Sequence, residues 1–370
     1  MKRALIVLLL LAVAGGLFAQ VTFSGYVRSG LEVAIPDEGD PTFHLYNADV
    51  GNRWRFQLGA TYTNADGNAG AGATIRTNND GLGAVAWGHD NAYAWAKPLD
   101  VVLLRFGSGP GGFGSMGGFD GHVNVADGQA FHTVFGPFAG LSLGLSIQPN
   151  NVQLADSQYS FGVKYAASGL MTAVADLRYN GAGNDGDGKA DFIAGFNFLG
   201  LASAGLTTLA VDVTAEDLTE EVLWIGVGPR IGFQVNNIAA GNLTGQLRSK
   251  IWLPMGDNDN DMNFAVYAQA GVPVVTGITV SLGAGYEAKA DLKALTASGA
   301  IDHRVDFDGL RSYIPNKLET SILLISPSVT FANIGGAGGA SLQAGWSFQT
   351  QLGDDAKTQN AIFALFNVGF

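Results

Sequence analysis

The sequence predicts an all-β protein, a transmembrane antiparallel β-barrel of about 16 strands (about 14–18 fit) with a long loop folded into its lumen. Three observations carry this reading. Segments of roughly ten residues alternate apolar and polar side chains all along the chain, the period of a strand. No stretch after the first twenty residues holds the 18 or so apolar residues that a membrane helix needs. The chain then ends inside an alternating segment, with Ile362, Ala364, Phe366, Val368 and Phe370 on one parity and Asn367 and Gly369 on the other.

The start of the chain reads as an export signal. Lys2 and Arg3 form a basic head, residues 4–14 an apolar run, and Ala19 closes a small-residue cleavage site before Gln20. The expected division is therefore residues 1–19 as a cleaved signal peptide and residues 20–370 as a single barrel domain. No Cys is present, so neither a lipid anchor on that residue nor a disulfide is expected.

Composition agrees. The chain of 370 residues has 53 Gly, 10% aromatic and 14% charged residues, with 47% hydrophobic residues spread over short segments. That distribution suits strands with one face in lipid and one in water. Its net charge of −12 leaves no basic face for nucleic acid.

The clearest strands are residues 22–33, with Phe23, Val27, Leu31 and Val33 outward, and 53–63, with Trp54, Phe56, Leu58, Ala60 and Tyr62 outward. Residues 158–165, 191–198 and 341–349 repeat the scheme. A β-sandwich also alternates, but its outer faces are normally charged, whereas the non-apolar faces here are Gly, Ser, Thr and Asn. In hydrocarbon every backbone amide needs a partner, so the sheet must close, and about 16 strands enclose a lumen wide enough for water. Residues 64–68 and 167–169 are short turns for the periplasmic rim. The longer polar stretches at 36–49, 148–157, 180–189, 215–220, 256–261 and 291–302 suit the outer one. Trp54, Tyr62, Trp87, Tyr93, Trp95, Trp224, Trp252 and Trp346 are expected in aromatic girdles, while Tyr26, Trp224, Trp252 and Tyr267 also fall on lumen parity.

Three stretches carry a family resemblance. Val21-Thr22-Phe23-Ser24-Gly25-Tyr26-Val27-Arg28 resembles the first strand of the Gram-negative general (trimeric) porins. Asn52-Arg53-Trp54-Arg55-Phe56-Gln57-Leu58-Gly59 with Ala71-Gly72-Ala73-Thr74-Ile75-Arg76 resembles their second hairpin. Ala92-Tyr93-Ala94-Trp95-Ala96 with Val101-Val102-Leu103-Leu104-Arg105-Phe106-Gly107 resembles the strands feeding their constriction loop. The terminal Phe370 resembles the aromatic residue that the barrel-insertion machinery reads. The resemblance implies a bacterial outer-membrane location, contact with outer-membrane lipid, a homotrimer, and passive diffusion of small hydrophilic solutes and ions, without catalysis or cofactor. It also implies that residues 107–132 fold into the lumen, with Asp120 and Asp127 on the loop. Facing them would be a wall of Arg28, Arg53, Arg55, Arg76 and Arg105, since each of these cations would cost about 2–4 kcal/mol if it faced lipid near the midplane. Such a wall sorts ions by charge.

Other readings are weaker. A closed surface adhesin barrel and a substrate-specific sugar channel are the alternatives. Asp185, Asp187 and Asp191 resemble a short calcium loop but lack the first-position acid, where Gly183 stands. Asp257, Asp259 and Asp261 lack the turn glycine. The five histidines have no metal-type spacing, and the Gly runs lack the strand-to-helix setting of a nucleophile elbow or phosphate loop.

Overall fold

The computed structural model describes residues 19–37, 39–45, 55–78, 86–109, 128–148, 156–181, 188–198, 205–216, 218–219, 222–256, 262–288, 321–334, 339–352 and 358–369. Its strands are β1 (Ala19–Pro36), β2 (Thr42–Leu45), β3 (Arg55–Asn64), β4 (Ala69–Asn78), β5 (Ala86–Leu99), β6 (Val102–Gly109), β7 (Gly128–Phe138), β8 (Leu141–Gln148) and β9 (Gln158–Ala167). The ladder continues with β10 (Met171–Asn180), β11 (Lys189–Phe198), β12 (Leu206–Glu216), β13 (Val222–Ile238), β14 (Gly241–Gly256) and β15 (Asn263–Val275). It ends with β16 (Ile278–Glu287), β17 (Ile322–Ala332), β18 (Ala340–Gln351) and β19 (Thr358–Gly369).

Apart from β2 and β3, which both pair with β1, each strand pairs antiparallel with the next, and β19 pairs back onto β1, so the sheet is a closed ring. At the seam, β1 pairs with β3 from Ala19 to Arg28 and with β19 from Tyr26 to Pro36. This stagger is the tilt that closing a twisted sheet requires. Beyond β3, the short β2 takes over beside Leu31–Ala34, so β2 and β3 share one position in the ring. The barrel therefore has 18 strands, not the expected 16 or so. The sequence pattern is irregular at residues 288–313, nearly all of them outside the described residues, and at residues 82–97. There β5 carries Gly88-His89-Asp90-Asn91, and the register slips between Thr74 and Ile75 of β4, so the pattern breaks while the ladder continues.

Alternation sets the two faces. Outward side chains are apolar and open, with Phe23 52%, Phe106 54%, Phe161 52% and Leu282 53% exposed. Inward positions hold Ser146, Ser160, Asp176, Asp212, Gln246, Lys250, Ser326, Gln343 and Gln349, all buried. An apolar outer belt and a polar inner wall are the arrangement a bilayer imposes on a barrel. The last strand departs from its simple pattern. Ile362 and Phe366 face out as expected, but Phe363 and Leu365 face in and are buried.

The connections divide by length. Short turns at residues 65–68, 100–101, 139–140, 168–170, 239–240 and 276–277 share one rim with Ala19 and Gly369. In the first of these, Asn64 Oδ1 accepts from the Asn68 and Ala69 amides at 2.9 and 3.0 Å, and Gly67 takes φ 68°. That side-chain turn ties the hairpin without help from the sheet. The strand ends at the opposite rim are separated by five residues of sequence or more, while on the short-turn rim the β11–β12 and β17–β18 ends are seven residues apart.

Candidate pore lining

Glycines decide how the inner wall is shaped. A Cβ at Gly72 would stand 2.6 Å from the Tyr93 ring, and one at Gly226 would stand 2.9 Å from both Lys250 Cε and the Trp252 ring. At Gly285 it would collide with the Tyr267 ring, and at Gly228 with the Asp212 carboxylate. Each of these glycines faces inward, and each receives a long side chain from the neighbouring strand. The side chains lie along the wall because nothing stands beneath them, a close approach that only glycine permits.

One stretch of wall runs over β1 and β3–β6. Arg28 pairs in register with Arg55, Arg76 with Gln57, and Arg105 with Trp95. Arg28, Arg76 and Arg105 are on the inner face. The Arg105 guanidinium sits 3.8 Å over the Tyr93 ring centroid and Arg28 5.4 Å from that of Tyr26, both within cation–π range. Arg53, Asp120 and Asp127 lie outside the described residues. So does the body of the expected inner loop: of residues 107–132, the ends belong to β6 and β7 and the remainder is not described. Phe370 and residues 1–18 also fall outside.

A second stretch, on β12–β15, lies halfway round the ring and was not singled out from the sequence as a charged wall. Lys250 Nζ donates to Asp212 Oδ2 at 2.8 Å and lies 3.5 Å from Thr214 Oγ1. The two side chains reach from β14 and β12 across β13 and meet over Gly226 and Gly228. Lys250 also stands 5.0 Å from the Trp252 centroid. One step toward the short-turn rim, Arg230 pairs in register with Arg248, whose guanidinium is 6.0 Å from the Tyr267 ring. The signal was present: Trp224, Arg230, Gln246, Arg248, Lys250 and Trp252 share even parity, alternating with Ile231, Leu247 and Leu253.

Several of these aromatics correct the girdle expectation. Tyr62 and Trp346 are outward and exposed, but Tyr93, Trp95, Trp224 and Trp252 all face inward. For Tyr93, Trp95 and Trp252 the beds at Gly72, Gly70 and Gly226 explain why: a large ring fits the inner wall without blocking it. Trp54 lies outside the described residues.

Acids on the inner face include Asp176, fully buried and 3.5 Å from Arg178 Nη2, and Asp191, which pairs in register with Arg178. Asp191 is thus placed opposite a cation within β11, while Asp185, Asp187, Asp257, Asp259 and Asp261 lie outside the described residues. Among the described residues no group of three or more acids or histidines is placed to hold a metal.

No family model and no curated protein matches the sequence. Solved structures do match the fold. Pseudomonas aeruginosa OpdQ superposes with a TM-score of 0.57 at 9% identity, covering 95% of this chain and 99% of that one. Acinetobacter baumannii OccAB4 gives 0.56 at 9% identity, covering 95% and 98%. Pseudomonas aeruginosa OprD gives 0.55 at 10% identity, covering 95% and 96%. At such identities the likeness concerns architecture, and over nearly its whole length the chain has the closed barrel fold of the outer-membrane porins.

Proposed function

We propose that the chain is an outer-membrane diffusion pore, passing small hydrophilic solutes and ions down their gradients. The observation that carries this reading is the inner wall: a closed ring of strands, apolar outside and polar inside, in which glycines let Tyr93, Lys250, Trp252 and Tyr267 lie along the wall. A barrel serving only as a surface scaffold has no need of that device. The likeness to OpdQ and OprD supports the same reading at the level of fold.

In this reading residues 1–19 are removed on export, Phe370 addresses the insertion machinery, and the exposed outer belt meets lipid and, by resemblance to the general porins, two further copies. The wall of Arg28, Arg55, Arg76 and Arg105 biases the lumen toward anions, with Asp120 and Asp127 as its acidic counterpart. The deciding experiment is single-channel recording of the refolded mature barrel in a planar bilayer, with reversal potential under a salt gradient. Stable conductance steps support the pore. Silence from protein shown to be folded refutes it and favours a closed surface barrel.

A further inference from the structure

We propose that the lumen holds a subsite for a neutral, polyhydroxylated solute of monosaccharide size, at the short-turn end of β12–β18. The proposal rests on the pore reading above and adds a binding step to it. A cavity of about 360 Å³ opens there, lined by Arg230, Gln246, Gln269, Ser281, Thr330 and Gln343 among others. Its volume lies at the small end of ligand pockets, about 300–1,000 Å³.

The chemistry of the lining is amide and hydroxyl, with one cation. Gln246 and Gln343 are each more than nine-tenths buried. Gln246 Nε2 donates to Gln269 Oε1 at 3.1 Å, and Gln343 Nε2 donates to Ser328 Oγ at 3.3 Å. These bonds hold the amides in place, as a binding site requires of its polar groups.

A hydroxyl, which both donates and accepts, pairs with either end of a lining amide, be it Gln246, Gln269 or Gln343. A carboxylate accepts only, and among the described residues that line the cavity Arg230 is the one cation. A sugar ring offers several hydroxyls at the spacing of a wall of Gln, Ser and Thr, and needs no counter-charge. Gly271 keeps the site open: a Cβ there would come within 2.8 Å of Ser281 Oγ.

The test uses the complete folded barrel in detergent, titrated with glucose and separately with glucuronate, and followed by saturation-transfer NMR and calorimetry. Glucose should bind, and Gln246→Leu and Gln343→Leu should each weaken it by about five- to tenfold, the loss expected for one or two neutral hydrogen bonds. Heat-modifiable migration on a gel checks that both variants fold. Absence of glucose binding to the folded wild type, equal affinity in both variants, or tighter binding of glucuronate would each overturn the subsite. Conductance of the wild type in potassium chloride is recorded alongside. Conductance without glucose binding sinks the subsite and leaves the pore standing; glucose binding without conductance does the reverse.

Discussion

Replacing Asp212 by alanine strands a buried cation in the barrel wall. Lys250 is fully buried, and its Nζ lies 2.8 Å from Asp212 Oδ2. At that 2.8 Å separation and an effective dielectric of about 20, the Coulomb attraction is about 6 kcal/mol. Desolvating two ions costs several kcal/mol apiece, so the pair as a whole is worth little more than apolar groups of the same shape. Losing one member is different, because the other keeps its desolvation cost. Asp212→Ala should therefore destabilise the barrel by about 3–5 kcal/mol. Lys250→Met should cost less, since the straight apolar chain still fills the bed over Gly226. The double variant should return to within about 1 kcal/mol of the parent, giving a coupling energy of at least about 2 kcal/mol. The assay is urea-driven unfolding from lipid vesicles, read by tryptophan fluorescence, with Trp252 beside the pair as a local reporter. Additive single and double effects, or an Asp212→Ala cost below about 1 kcal/mol, would refute the account of a dry, mutually dependent pair.

Three further outcomes follow from the same wall. Gly72→Val puts a side chain where the Tyr93 ring now lies, so the ring must swing toward the lumen; single-channel conductance should fall, and an unchanged value would mean the ring finds another place on the wall. Arg28→Ala and Arg76→Ala should each shift the reversal potential toward cations, with the double variant shifting further; unaltered potentials would remove these arginines from selectivity. Phe161→Arg puts a cation on the lipid face in mid-strand and should cost about 2–4 kcal/mol in the vesicle assay, whereas a cost near zero would place that face in water or against protein.

The outward face of the barrel was readable residue by residue. Phe23, Phe161, Trp346, Ile362 and Phe366 were assigned to lipid from parity alone, and their exposure agrees. Side-chain period and strand period are the same, so one correct residue places all its neighbours. The inner face was harder. Tyr93 and Trp95 read as girdle residues because aromatics near strand ends commonly anchor at the interface. Parity alone put Trp224 and Trp252 in the lumen, but could not say that these rings fit there without filling it. For Trp95, Tyr93 and Trp252 that depends on Gly70, Gly72 and Gly226, which come from neighbouring strands. Likewise Phe363 and Leu365 break the alternation of β19 in sequence, and Phe363 reaches over Gly345 of β18, a contact that local pattern cannot predict.

By itself, then, the sequence determined the class of fold, the lipid-facing residues, the short-turn rim and the inward parity of Arg28, Arg76 and Arg105, because all of these follow from a two-residue repeat and the need to pair every amide in hydrocarbon. Tertiary structure alone decided the strand number, the meeting of Lys250 with Asp212 across β13, and the cavity beside Gln246. Each depends on register between strands: a shift of two residues would keep every side chain on its face and yet separate the ion pair from its glycine bed.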